Sequence, residues 1–120
     1  IVAVELEAGP GLGPALAAGK PVPVARPADT LADGMTPPFV GALPLGIARE
    51  LAVEVATVSE EAIREGMRLL MTRAKLWVEG AGAAAVAALL DGRIRVERGS
   101  RVVALVSGGN ADISAVAAVA

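Results

Sequence analysis

The sequence contains neither cysteine nor histidine, and both absences exclude kinds of chemistry. Without cysteine the chain can form no disulfide, no thiolate nucleophile and no cysteine-ligated metal site. Without histidine it cannot supply the base of a Ser–His nucleophile pair or a histidine metal ligand. Any such group would have to come from outside these residues.

Aromatic residues and long apolar runs are also scarce. Aromatics make up 2 % of the chain although 54 % is hydrophobic, because alanine and valine supply most of the apolar content. Each apolar run is interrupted by Glu, Arg, Asp or Gly before it could span a bilayer, and no signal-peptide pattern is present. A net charge of −2 offers no basic surface. We therefore expect a soluble, cytoplasmic protein whose partners include no nucleic acid and no membrane.

The length and the first residue bear on domain organisation. A chain of 120 residues is enough for one domain with a modest core. It begins with Ile1 inside a predicted strand, and it shows no repeat and no internal boundary. We expect residues 1–120 to be a single α/β segment, the C-terminal portion of a longer chain whose N-terminal half is absent.

Predicted strands and helices alternate along the chain. Strands are predicted at residues 1–4, 53–57 and 102–106, and helices at residues 43–51, from 59 onward, and at 83–90. This alternation predicts an α/β fold with a three-layer, mostly parallel twisted sheet and helices on both faces. Within it, Ser59 is the predicted N-cap of an amphipathic helix with Glu60 and Glu61 in its first turn. The apolar stripe of that helix, expected in the core, comprises Ile63, Met67, Leu70, Ala74 and Trp77.

The predicted strand at residues 102–106 is apolar throughout, which is typical of a strand buried on both faces. Ser107, Gly108, Gly109 and Asn110 follow it directly. Ligands of parallel sheets bind beyond the carboxyl ends of strands, so the Ser107 hydroxyl lies where a ligand is expected. An ordinary strand-to-helix turn is an equally good interpretation of this stretch alone.

Three further features remain open at this level. Glu79 precedes an apolar helix and is either a capping acid or a carboxylate facing a cofactor. Thr30 and Asp33 have the spacing of a capping box, and Glu5 ends the first strand. A dinucleotide fingerprint after that strand is rejected, because Pro14 stands where its third glycine is required.

Five segments, taken in order, resemble one family. They are VE at 4–5, TLADG at 30–34, VATVSEE at 55–61, KLWVEGAGA at 75–83 and VSGGN at 106–110. Together they resemble the C-terminal half of the serine/threonine dehydratases and serine racemases, fold type II enzymes that use pyridoxal phosphate. The resemblance covers essentially all of the chain and implies part of the large domain of such an enzyme.

The resemblance implies a set of cofactor-binding residues. Ser107 matches a serine whose hydroxyl bonds the pyridine nitrogen of pyridoxal phosphate, and Gly108 lies beside it. Gly34 matches a glycine whose backbone lies against the ring, and Glu79 matches a carboxylate near the cofactor and the substrate. A neutral hydroxyl does not hold the ring nitrogen protonated, which suits loss of a β-hydroxyl group.

The resemblance also implies a metal site and an absent lysine. Glu5 matches a ligand of a divalent cation, Mg²⁺ or Ca²⁺, and Gly9 would add a backbone carbonyl. The family's further acid is replaced here by Gly11. The Schiff-base lysine and the glycine-rich phosphate loop lie upstream in the family, and neither Lys20 nor Lys75 has the context of that lysine. No catalytic residue is therefore assigned to this chain.

The function implied is pyridoxal phosphate-dependent dehydration and deamination of L-threonine or L-serine to a 2-oxoacid and ammonia, with this chain forming one wall of the site. The partners expected are a small amino-acid substrate, the missing N-terminal half and further copies in a homo-oligomer. One alternative is a serine racemase or another amino-acid enzyme of the family. A second, from a different class, is a non-catalytic binding or scaffold module.

Overall fold

Strands and helices alternate in the computed structural model, which describes residues 1–117 and 119. The elements are β1 (Val2–Leu6), α1 (Leu12–Ala18), α2 (Ala42–Glu50), β2 (Glu54–Val58), α3 (Glu60–Leu69), α4 (Gly80–Leu90) and α5 (Ile113–Ala117). A 3₁₀ turn spans Asp33–Met35, and a π-helical turn at Leu70–Ala74 continues α3. The predicted α/β class is confirmed.

The sheet of the described residues consists of β1 and β2, which pair in parallel. Val2 lies opposite Glu54, and the register runs to Leu6 opposite Val58. Two parallel strands need a long crossover connection, and here it contains α1 and α2. Leu6 and Val58 are both fully buried, so the carboxyl ends of the strands point into the core. The predicted parallel direction is confirmed.

The core lies where α3 and α4 pack on each other and α4 packs on both strands. Ser59 caps α3 as predicted, because its side chain accepts a hydrogen bond from the Ala62 N–H at 3.2 Å. Ile63 and Met67 of α3 are fully buried against the alanine-rich surface of α4. No described helix, α4 included, is long and apolar enough to cross a membrane.

The predicted core stripe of α3 is wrong in its last turns. Leu70 is buried as expected, but Ala74 is exposed and Trp77 is 52 % exposed. Ala74 lies in the π-helical turn, which departs from the 3.6-residue period, and the backbone of Lys75, whose φ of 60° is left-handed, ends the helical path before Trp77. Trp77 therefore lies beyond the helix, where the helical period no longer determines which side chains face the core.

The predicted strand at residues 102–106 is not formed in the described part of the chain. Val103 is 93 % exposed and Leu105 is 75 % exposed. The stretch lies beside β1 across an apolar groove of about 320 Å³ but forms no ladder with it. A strand requires a partner for its backbone hydrogen bonds, and these residues have none here.

Arg93 links the segment after α4 to the end of β1. Its guanidinium contacts Asp91 and Glu7, each at 2.7 Å. The hydrogen bond to Asp91 and the charge of Glu7 raise the pKa of Arg93 above its ordinary value. An arginine guanidinium is charged at any physiological pH, and the raised pKa reinforces that charge.

We expect Ser59→Ala to lower the free energy of unfolding by about 1 kcal/mol, because the N–H that the serine caps loses its acceptor. Ser59→Thr retains the hydroxyl and serves as the matched control, with a stability close to that of the parent. Urea unfolding measures both. Equal stabilities of the two variants would contradict the capping role.

Candidate functional site

The N-terminus of α4 is the point where two loops of the chain meet. Gly80 and Gly82 are both buried in its first turn. A Cβ built on Gly80 would overlap the carbonyl oxygen of Leu31, and one built on Gly82 would overlap that of Ser107. The loops containing residues 30–35 and 107–110 therefore approach α4 through the space that these two glycines leave empty.

Sequence reasoning did not single out Gly80 and Gly82 as site residues. A usable signal was present, since two glycines spaced by one residue begin an otherwise unbroken apolar helix. Glycine inside a helix costs about 1 kcal/mol relative to alanine, so two of them indicate a close approach of backbone. What the sequence does not give is the identity of the loops that approach.

Glu79 is the N-cap residue of α4, but its carboxylate makes no hydrogen bond to that helix. Its backbone N–H donates to the Gly108 carbonyl at 3.3 Å. The carboxylate itself lies against Gly108, where an added Cβ would overlap it, and a Cβ on Gly34 would be 3.7 Å from Glu79 Oε1. The carboxylate thus lies between two glycines at the N-cap position, where it is close to the positive end of the α4 dipole but forms no capping hydrogen bond.

Hydrogen bonds from Trp77 and Glu79 hold the turn that contains Ser107. The Trp77 indole Nε1–H donates to the Ala111 carbonyl at 3.3 Å. Gly108 has a φ of 78°, a left-handed conformation that glycine adopts without strain. The Ser107 residue is exposed, and its hydroxyl makes no hydrogen bond to another described residue. Its hydroxyl is therefore available to a ligand.

The four residues predicted to bind a cofactor come together at this place. Gly34, Glu79, Ser107 and Gly108 belong to three segments that meet at the first turn of α4. A cavity of about 200 Å³ lies beside Glu79, which lines it together with Thr30, Asp33 and Asn110, whereas Gly34, Ser107 and Gly108 are not part of its lining. Gly34 and Gly108 are exposed and carry no side chain, and the exposed Ser107 hydroxyl has no partner among the described residues, so the chemistry of this set fits the pyridine ring of pyridoxal phosphate with its nitrogen at Ser107.

Neither lysine of the chain reaches this place. Lys75 donates from Nζ to the Thr72 carbonyl at 2.8 Å and so binds the C-terminal end of the helical segment. Lys20 is exposed and follows Gly19, the C-cap residue of α1.

The structure does not support the divalent cation predicted at Glu5 and Gly9. Glu5 Oε1 accepts hydrogen bonds from the N–H groups of Gly11, at 2.9 Å, and Leu12, and Oε2 accepts one from Gly13 at 3.1 Å. Gly11 is the N-cap of α1 and has no side chain to satisfy these donors. The carboxylate is thus committed to the helix, and within residues 1–117 and 119 no three acidic side chains cluster as metal ligands.

Glu60 holds the loop containing residues 30–35. Its Oε1 accepts a hydrogen bond from the Thr30 hydroxyl, and its Oε2 accepts one from the Leu31 N–H at 3.1 Å. The capping box predicted from Thr30 and Asp33 is not formed, since the Thr30 hydroxyl accepts from the Ala32 N–H at 3.1 Å and Asp33 Oδ1 accepts from the Gly34 N–H at 2.8 Å, although a helical turn does begin at Asp33. The carboxylate that orders this loop therefore comes from the neighbouring helix.

The family described as "Pyridoxal-phosphate dependent enzyme" matches residues 1–108, and the chain belongs to that family. It is 44 % identical over 96 residues to the L-threonine dehydratase catabolic TdcB of Staphylococcus aureus (strain N315), a match covering 78 % of the chain and 28 % of that protein. Its fold is similar to that of the T.th. threonine deaminase, with a TM-score of 0.77, 38 % identity and coverage of 93 % of this chain and 39 % of that one.

The fold is also similar to that of maize serine racemase. The TM-score is 0.82 and the identity 30 %, with 98 % of this chain and 36 % of that chain covered. The chain thus spans less than a third of the curated relative described above and somewhat more than a third of these two solved structures. These likenesses confirm the fold type II resemblance inferred from the sequence.

We expect Gly82→Ala to displace the Ser107 turn, because the new methyl group would overlap the Ser107 carbonyl oxygen. Hydrogen exchange of residues 107–111 should accelerate, and the emission of Trp77, the only tryptophan of the chain, should change. Gly46→Ala is the control, since a Cβ there meets nothing within 4 Å. That variant should gain about 0.5–1 kcal/mol of stability with unchanged exchange at residues 107–111. Identical exchange in both variants would argue against the contact.

We expect Glu5→Ala to destabilise the protein by about 1–3 kcal/mol, because backbone N–H groups of α1 lose their acceptor. Added Mg²⁺ or Ca²⁺ should leave the melting temperature of the parent unchanged, since a ligand raises it only by binding the folded state. If Mg²⁺ or Ca²⁺ raised the melting temperature of the parent and Glu5→Ala abolished that rise, the result would contradict the structural role of Glu5 and support a metal site there.

Proposed function

We propose that this chain forms one wall of a pyridoxal phosphate site in an enzyme that converts L-threonine to a 2-oxoacid and ammonia, with L-serine as a second substrate. The observation that carries the proposal is the meeting of Gly34, Glu79, Ser107 and Gly108 at the N-terminus of α4. Family membership and the names of the relatives support it.

In this proposal the Ser107 hydroxyl binds the pyridine nitrogen, and the backbones of Gly34 and Gly108 lie against the cofactor. Pyridoxal phosphate, when bound, supplies an electron sink for a carbanion at the substrate α-carbon. A serine hydroxyl at the ring nitrogen is neutral, so it binds that atom without enforcing its protonation, as a carboxylate would. Ser107 therefore orients the cofactor and limits how strongly its ring withdraws electrons from the substrate α-carbon.

Glu79 is the group that we assign to the substrate side of the site. Its carboxylate accepts no hydrogen bond from α4 and lies between the two glycines that border the cofactor. An acceptor without a partner beside a bound amino acid can orient the ammonium or hydroxyl group of that substrate. We assign Glu79 this orienting role and no covalent step.

The proposal requires groups from outside residues 1–120. Neither Lys20 nor Lys75 reaches the site, and the chain covers 28 % of the S. aureus dehydratase. We propose that this segment belongs to a longer protein whose remaining residues supply the Schiff-base lysine and the phosphate-binding loop. The homo-oligomeric state and the cytoplasmic location stay predictions.

Serine racemization is the second candidate, favoured by the likeness to maize serine racemase. The two reactions release different products from L-serine, namely pyruvate with ammonia or D-serine. Product analysis on the complete protein distinguishes them. A non-catalytic module predicts a third result, in which pyridoxal phosphate does not bind.

The proposal is tested by loading the complete protein with pyridoxal phosphate and measuring ammonia released from L-threonine. Ser107→Ala should lower kcat about tenfold or more, the effect of losing roughly 1.4 kcal/mol of hydrogen bonding. Ser100→Ala removes a hydroxyl from an exposed loop and is the matched control, with parental turnover expected. Unchanged turnover in Ser107→Ala would remove Ser107 from the site, and absence of cofactor binding would refute the function.

A further inference from the structure

Glu60 directs its side chain away from the helix to which it belongs. Ser59 already caps α3, so the Glu60 carboxylate is not needed for that purpose. Both of its oxygens instead accept hydrogen bonds from residues far earlier in the chain, Oε1 from the Thr30 hydroxyl and Oε2 from the Leu31 N–H. The Glu60 side chain therefore links the 30–35 loop, which is part of the connection between β1 and β2, to α3.

The hydrogen bonds continue from Thr30 to the turn that contains Gly34. The Thr30 hydroxyl, while donating to Glu60, accepts from the Ala32 N–H at 3.1 Å. Ala32 is fully buried in the core, and its carbonyl accepts from the Met35 N–H at 2.9 Å. The chain of contacts from Glu60 through Thr30 and Ala32 thus fixes the start of the 3₁₀ turn Asp33–Met35.

The position of Gly34 depends on that turn. Gly34 itself is exposed, and a Cβ built on it would lie 3.3 Å from Ala81 Cβ and 3.7 Å from Glu79 Oε1. A backbone without a side chain is held only by its neighbours along the chain and by hydrogen bonds. Glu60 supplies hydrogen bonds just before the turn, at Thr30 and Leu31.

The neighbouring Glu61 provides a contrast within the same helical turn. Both carboxylates lie near the positive end of the α3 dipole. The Glu61 side chain is 77 % exposed, and it contacts Arg64 of the same helix at 3.5 Å. Only Glu60 reaches the 30–35 loop, so the two residues share the dipole effect and differ in the loop contact.

We propose that Glu60 is a positioning residue for the cofactor: through Thr30 it holds the turn that places the Gly34 backbone beside Glu79, where pyridoxal phosphate would lie against that backbone. The proposal rests on the function proposed above. Removing the carboxylate leaves the Leu31 N–H and the Thr30 hydroxyl without their partner, and the turn containing Gly34 then has freedom to move. Glu60 touches neither cofactor nor substrate in this assignment.

The experiment uses the complete protein and measures the affinity for pyridoxal phosphate together with the absorption and emission of the bound cofactor. Glu60→Ala and Thr30→Val should each weaken affinity about tenfold and alter the spectra, because each removes the hydrogen bond between Glu60 and Thr30. The double variant should be little worse than Glu60→Ala alone. Thr30→Ser keeps a hydroxyl at this position and should behave like the parent. Glu61→Gln removes a carboxylate from the same helix N-terminus but no contact to the 30–35 loop, so it should also behave like the parent.

Glu60→Gln guards against a variant that fails to fold, since it keeps the shape and one acceptor oxygen, and it should show a smaller loss of affinity. Parental affinity and spectra in both Glu60→Ala and Thr30→Val would overturn the inference. An equal loss in Glu61→Gln would also overturn it, because the dipole alone would then explain the effect. A parent that binds no pyridoxal phosphate would instead refute the proposed function, a result separate from either of these.

Discussion

The close approach of two loops to the first turn of α4 is the constraint on which the candidate site depends. Gly80 faces the Leu31 carbonyl and Gly82 faces the Ser107 carbonyl, each at a separation that no side chain would permit. Glycine has a lower helix propensity than alanine, so these two glycines weaken α4. In return, the two glycines allow the backbones of both loops to approach α4. The apolar burial of the rest of α4 offsets the lost helix stability.

Three glutamates in and around the candidate site differ in the hydrogen-bond partners of their carboxylate oxygens, and their roles differ accordingly. Glu5 gives both oxygens to backbone N–H groups of α1, and Glu60 gives both to the 30–35 loop. Glu79 gives neither to α4 and lies against Gly34 and Gly108. A carboxylate whose lone pairs are already bonded has little left for a ligand. This is why Glu5 is a structural acid here, whereas the oxygens of Glu79 accept no hydrogen bond from α4.

The exposed stretch at residues 101–106 is explained by the proposal that the chain works within a longer enzyme. Its sequence is that of a strand buried on both faces, yet Val103 and Leu105 are exposed beside β1. Such a stretch becomes a strand only when another strand offers backbone donors and acceptors. In a protein about three times as long, as the relatives are, further strands would supply that partner.

Local sequence patterns predict the α/β class and the helix start at Ser59, because hydrophobic period and capping preference are local. The resemblance to a family singles out Gly34, Glu79 and Ser107, whose roles at a cofactor stay proposals. Tertiary structure alone decided that Trp77 is exposed, that Glu5 binds α1 rather than a metal, and that Glu60 reaches Thr30. Each of these depends on a backbone reversal or on a contact between residues distant along the chain. Local patterns do not encode such contacts, since any carboxylate can satisfy any nearby donor and only the packed fold determines which donors are near.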